Sequence, residues 1–148
     1  MAQHALDILG RYGEPDSLPA DVQYLRGEAL REIGDYRAAI AALKQAAESL
    51  AENVPVWLSL GWCYKRIGRL DMAIESLQEA IEIEPQAAIV HYNLACYWSL
   101  AGNKRQALAC LSQAIDIDGD YRDMVGSEPD FDAIRFDADF RALVSVIV

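Results

Sequence analysis

The stretch GWCYKRIGR, residues 61–69, packs a thiol, two aromatic rings and three cationic side chains into nine residues. Two chemistries could use such a set. A cysteine whose thiolate is stabilised by neighbouring cations is a nucleophile, and a tryptophan beside arginine is the composition of a binding hot spot. The nucleophile reading lacks its helpers. His4 and His91 are remote in sequence from Cys63, and Cys63, Cys96 and Cys110 show no CxxC spacing. Cys63 and Cys96 fall on helix faces where any small apolar residue would serve, as free cysteine often does. An odd cysteine count also argues against a disulfide framework. Further along, IDIDGDYRD offers Asp116, Asp118 and Asp120 in the alternation that opens a calcium loop. The rest of that loop fails: Tyr121 stands where the turn glycine belongs and Ser127 where the bidentate glutamate belongs. Asp116 and Asp118 are therefore expected to be solvated carboxylates at a helix end. No HExxH, GxSxG, GxxxxGKS/T or GxGxxG is present. We expect no catalytic residue, no metal and no cofactor.

Composition narrows the field. The chain has 148 residues, 53% of them hydrophobic and 24% charged, which is a globular composition. Net charge is −10, and residues 116–141 carry nine Asp/Glu against three Arg. That charge disfavours nucleic acid and anionic membrane as partners. No apolar run approaches the roughly 18–20 residues that span a bilayer. The start, MAQHALDILGRYGE, lacks the basic-then-apolar order of a secretory signal. A reducing, cytoplasmic setting is the expectation.

The elements that carry GWCYKRIGR emerge from a repeat. Gly34, Gly68 and Gly102 are spaced by 34 residues, and so are Ala39/Ala73/Ala107, Leu43/Leu77/Leu111 and Ala46/Ala80/Ala114. Upstream stand Gly27/Gly61/Ala95 and Leu30/Tyr64/Trp98, without a gap. Leu70, Ile74, Leu77 and Ile81 make a helical stripe; Trp57, Leu60, Gly61 and Tyr64 make a second. Each unit thus reads as two helices with a turn at the repeated glycine, which supplies a left-handed residue. Pro85 ends a second helix and Pro55 suits a first turn. Small residues in the Gly/Ala columns are expected to let helices approach closely.

A 34-residue helix–turn–helix with these columns resembles the tetratricopeptide repeat. The second copy matches fully, the third well, and the first more loosely, with Gln23 in the column of Trp57 and Arg26 in that of Leu60. The resemblance implies an all-α, right-handed helical-hairpin solenoid forming a single structural domain. Its parts are an unpaired N-terminal helix at 1–14, repeats at 20–53, 54–87 and 88–121, and C-terminal capping helices at 122–148. EPDFDAIRFDADFRAL resembles a segment that closes such arrays by covering the apolar end. Within it, Ser127 and Asp137 are expected N-caps, with Phe140, Leu143 and Val144 facing inward. His91, in the Trp57 column, is expected to be a packed histidine.

The resemblance also locates a binding groove on the first helix of each pair. Its lining would include Tyr24, Glu28 and Arg31, then Leu58, Trp62, Lys65 and Arg66, then Tyr92, Asn93 and Cys96. The implied partner is a protein or peptide with an apolar anchor near Trp62 and Tyr92 and an acidic group near Lys65 and Arg66. Chaperone-binding relatives clamp a C-terminal carboxylate with lysine, asparagine and arginine; the matching positions here are Tyr24, Glu28, Ser59, Ile89 and Asn93. No EEVD-tail clamp is expected. The rival readings are self-association as a homodimer through the apolar LVSVIV end, and a scaffold portion of a larger multidomain protein or enzyme.

Overall fold

The structure, a computed structural model, describes residues 2–9 and 18–145. Among these residues the chain forms nine α-helices and no strand. The helices cluster into two compact units, Met1–Ile83 and Glu84–Val148. The division falls where α5 ends, just ahead of Pro85. The first unit holds α1 (Ala2–Leu9), α2 (Ala20–Glu32), α3 (Tyr36–Ser49), α4 (Val54–Arg66) and α5 (Leu70–Ile83). In the second lie α6 (Ala88–Leu100), α7 (Lys104–Ile117), α8 (Tyr121–Met124) and α9 (Ala138–Val144), with 3-10 turns at Val125–Ser127 and Pro129–Phe131. Within the units α2 pairs with α3, α4 with α5 and α6 with α7, while α3 also packs on α4. No helix among the described residues is long and apolar enough to cross a membrane.

The turns follow from backbone chemistry. Gly34, Gly68 and Gly102 have φ of +87°, +81° and +83°, a region that L side chains avoid. Each lets the next residue's N–H reach back to a helix carbonyl, as in Asp35 N to Leu30 O at 3.0 Å and Arg69 N to Tyr64 O at 2.9 Å. The following helix is capped at once: Asp35 accepts from Ala38 N at 3.3 Å and Asn103 from Gln106 N at 3.1 Å. Arg69 occupies the matching position before α5 and instead holds Asp71 of the first turn with two bonds of 3.1 Å.

The repeated columns are the core. Leu43, Leu77 and Leu111 are all 0% exposed, as are the alanines at 39, 73, 107, 46, 80 and 114. A Cβ built on Gly27 would lie 2.7 Å from Leu43 Cγ, and one on Gly61 3.1 Å from Leu77 Cδ2. The small residues are thus required by close approach. A less obvious column duty belongs to Trp57 and His91. Trp57 Nε1 donates to Ala51 O at 2.8 Å, and His91 Nε2 lies 2.7 Å from Pro85 O. Each reaches back six residues to tie down the turn before its own helix. Because a carbonyl only accepts, this bond places the proton of neutral His91 on Nε2.

The C-terminal segment departs from expectation at Ser127. The chain stays helical through 121–127, so Ser127 sits inside a turn and its hydroxyl donates to Met124 O at 3.3 Å. The extended residue is Glu128, which caps the next turn by accepting from Asp130 N at 3.1 Å. Asp137 does cap α9, accepting from Asp139 N at 2.9 Å and Phe140 N at 3.2 Å, and it also binds Lys104 Nζ of α7 at 2.8 Å. Arg135 staples the segment by donating to Val125 O at 3.1 Å and Glu128 O at 2.7 Å. Phe140 is buried, while Leu143 and Val144, at the end of a short helix, are only half-buried. Val146–Val148 of LVSVIV, and residues 10–14 of the N-terminal half-unit, lie outside the described residues.

Candidate functional site

In the first unit the face shared by α2 and α4 collects most of the expected groove residues. Arg31 and Glu28, one turn apart on α2, form an ion pair of 2.8 Å. Glu28 Oε1 and Arg31 Nε are shielded from solvent and have no hydrogen-bond partner. Tyr24, one turn earlier, is half-buried; burial and the Glu28 charge push its phenol above the ordinary value, against a hydrogen bond with Ser59 and the Arg31 charge.

Trp62 organises the other half. Its ring meets Tyr36 edge-on at 5.5 Å and 66°. The Arg31 guanidinium lies 5.2 Å from its centroid, and that of Arg66 lies 5.4 Å from both the Trp62 and the Tyr36 rings. Cation–π contacts of this kind hold a guanidinium in place while leaving its N–H edge free to donate. Arg66 is exposed and makes no ion pair among the described residues. The arrangement can therefore receive a carboxylate at Arg66 and apolar surface against the rings. Tyr36 has no signal in the sequence, because it opens α3 and not a first helix. Its column holds Leu70 and Lys104 in the other copies, so no periodicity points to it. Leu58 and Lys65 are half-buried on α4.

Cys63 lies between these groups and the core, 0% exposed. Burial pushes its thiol up to about 11, with Arg31 opposing and Glu28 adding; burial alone takes Cys110 to about 11. From an ordinary value of 9.0, a rise of this size cuts the thiolate present at pH 8 by roughly 100-fold. Iodoacetamide labelling at pH 8, followed by mass spectrometry, should accordingly modify Cys63 and Cys110 at least about 100-fold more slowly in the folded protein than in urea. Equal rates would remove the burial argument. The sign for stability follows: the folded chain holds these protons more tightly, so their contribution is complete below pH 9 and is lost as pH rises toward 11.

The second unit holds the remaining residues expected in the groove. Tyr92 is 4% exposed, with its ring 4.9 Å from Tyr121 and 5.8 Å from Phe131. Cys96 is also buried, and its Sγ lies within 4.8 Å of carboxylate oxygens of Glu128 and Asp130. Neither lines an open groove, because residues 121–131 of the same unit cover that face of α6. Burial, with the Cys96, Glu128 and Asp130 groups adding, drives the Tyr92 phenol well up. Asn93 is half-buried on α6. One thiol and two carboxylates fall short of a four-donor structural zinc set, and Glu128 is committed as a cap.

Residues 24–88 match the family model described as tetratricopeptide repeat. No curated protein matches the sequence. Among solved structures, YrrB, titled a TPR protein with an unusual peptide-binding site, is similar at 25% identity and TM-score 0.77, over 86% of this chain and 66% of its own. A MamA structure is similar at 18% identity and TM-score 0.76, over 97% of this chain and 80% of its own. MamA AMB-1 is 27% identical with a TM-score of 0.69, over 76% of this chain and 66% of its own. The chain thus spans about two thirds of the length of YrrB and of MamA AMB-1.

Proposed function

Residues 24–88 are tetratricopeptide repeats, and from that premise we propose that the chain is a non-catalytic protein-interaction scaffold that binds a polypeptide on the α2/α4 face of its first unit. The observation that carries the reading is Arg66: an exposed guanidinium, held over two aromatic rings, with no ion-paired carboxylate among the described residues. The partner segment presents an acidic group to Arg66 and Lys65 and an apolar side chain to Trp62 and Tyr36. YrrB, a TPR protein with a peptide-binding site, supports a peptide ligand here. The positions that would clamp an EEVD tail hold Tyr24, Glu28, Ser59, Ile89 and Asn93, which speaks against such a tail as the ligand.

The test is a lysate pull-down with wild type, Arg66→Glu and a Trp62→Ala/Arg66→Glu double variant, with circular dichroism as the folding control. Arg66→Glu alone alters an exposed side chain and leaves the buried core intact. A partner retained by wild type and by Glu82→Lys, but weakened at least about 10-fold by Arg66→Glu, is the expected result. Equal retention by all variants would reject the α2/α4 face.

A further inference from the structure

A second groove lies on the other side of α4. Trp57 precedes Trp62 by five residues, about 140° around the helix at roughly 100° per residue, so the two rings face different ways. The groove runs between α3 and α5 with α4 as its floor, and it encloses about 430 Å³, within the range of roughly 300–1,000 Å³ typical of ligand sites. Trp57, Leu60, Tyr64 and Met72 make its apolar surface. Three carboxylates, Glu48, Glu75 and Glu79, stand on the rim against one ammonium, Lys44.

This is not a space that every pair of repeats leaves. Beside α2 the corresponding hollow is lined by Leu18, Ala20, Gln23, Gln45, Glu48 and Ser49, and Gln23 Nε2 donates across it to Gln45 Oε1 at 2.6 Å. In that hollow the Trp57 column holds Gln23, so it lacks the indole floor. The charge is also one-ended. Past Tyr64 the same face continues into a hollow of about 380 Å³ lined by Arg37, Lys44 and Arg69. A bound cation therefore has one favourable end, among the glutamates, and an unfavourable one.

We propose that this groove is a second docking site, which takes an amphipathic basic segment of a partner polypeptide. An apolar side chain sits on Trp57 and Met72, and a neighbouring Lys or Arg reaches Glu48, Glu75 and Glu79. The stem of that residue covers the indole while its head meets the carboxylates, using both the aliphatic and the cationic parts of one side chain. The inference stands apart from the α2/α4 face, since no residue of that site lines this groove.

The test uses the full chain, ¹⁵N-labelled, titrated with a short amphipathic peptide of leucine and lysine and with its leucine–glutamate counterpart. The expected result is that the basic peptide shifts the Trp57 indole N–H and amides of Ser76 and Glu79, while the acidic peptide does not. Glu75→Lys/Glu79→Lys, which changes two exposed side chains, should weaken the basic peptide at least about 10-fold, whereas Arg66→Glu should leave it unchanged. Shifts confined to the acidic 116–139 region, or equal affinity in the double lysine variant, would overturn the proposal. Failure of the Arg66 pull-down leaves this titration unaffected, so the two readings fall separately.

Discussion

Phe131→Ala is expected to destabilise the second unit by about 3–5 kcal/mol, more than any other single substitution considered. Phe131 is 0% exposed and joins three parts of that unit. Its ring lies edge-on to Tyr92 of α6 at 5.8 Å and 5.7 Å from Phe140 of α9. Removing it leaves a void that two neighbouring rings are too rigid to fill, so the transfer and cavity costs add. The same change should uncover Tyr92 and Cys96, the two α6 residues that the C-terminal segment hides. Urea unfolding gives the stability, and alkylation of Cys96 in the folded state gives the uncovering. A cost below about 1 kcal/mol, with Cys96 still protected, would mean that the segment is not integral to the unit.

The second large effect is a pair. Leu43→Ala should cost about 2–5 kcal/mol, because Leu43 is 0% exposed beneath α2. Gly27→Ala should cost about 1–3 kcal/mol by overpacking, since its new Cβ would stand 2.7 Å from Leu43 Cγ and 2.8 Å from Cδ2. In the Leu43→Ala background that obstacle is gone, and alanine's helix propensity, up to about 1 kcal/mol over glycine, is left to act. Gly27→Ala should therefore change sign, from harmful to neutral or helpful. The double-mutant cycle measures this directly. Additive costs would show that Gly27 is needed for some reason other than Leu43.

Much of the molecule is legible from local rules. Glycine at 34, 68 and 102 dictates a left-handed residue, because any Cβ there is strained whatever surrounds it. Helical periodicity then sends Leu43, Leu77 and Leu111 to the same place in each copy. The acidic caps Asp35 and Asp137 follow from a side chain bonding to N–H groups two or three residues ahead. Ser127 and Glu128 mark the limit of such rules: both can cap, and the choice depended on how far the preceding helix ran.

The functional faces were only half legible for the same reason. That α4 carries Trp62 and Arg66 on one side and Trp57 and Tyr64 on another is written in residue spacing. Which of these a neighbouring element then covers is not, since contact across tens of residues leaves no periodic trace. Tyr92 and Cys96 look like groove residues by column, and residues 121–131 bury them. Tyr36 looks like an ordinary helix start, and folding sets it against Trp62 and Arg66. The sequence by itself determined the helices, their turns and their small-residue contacts, because each depends on neighbours within a turn or on an exact repeat. Tertiary structure alone decided which aromatic rings serve as core and which stay exposed, because burial depends on what packs from outside the repeat.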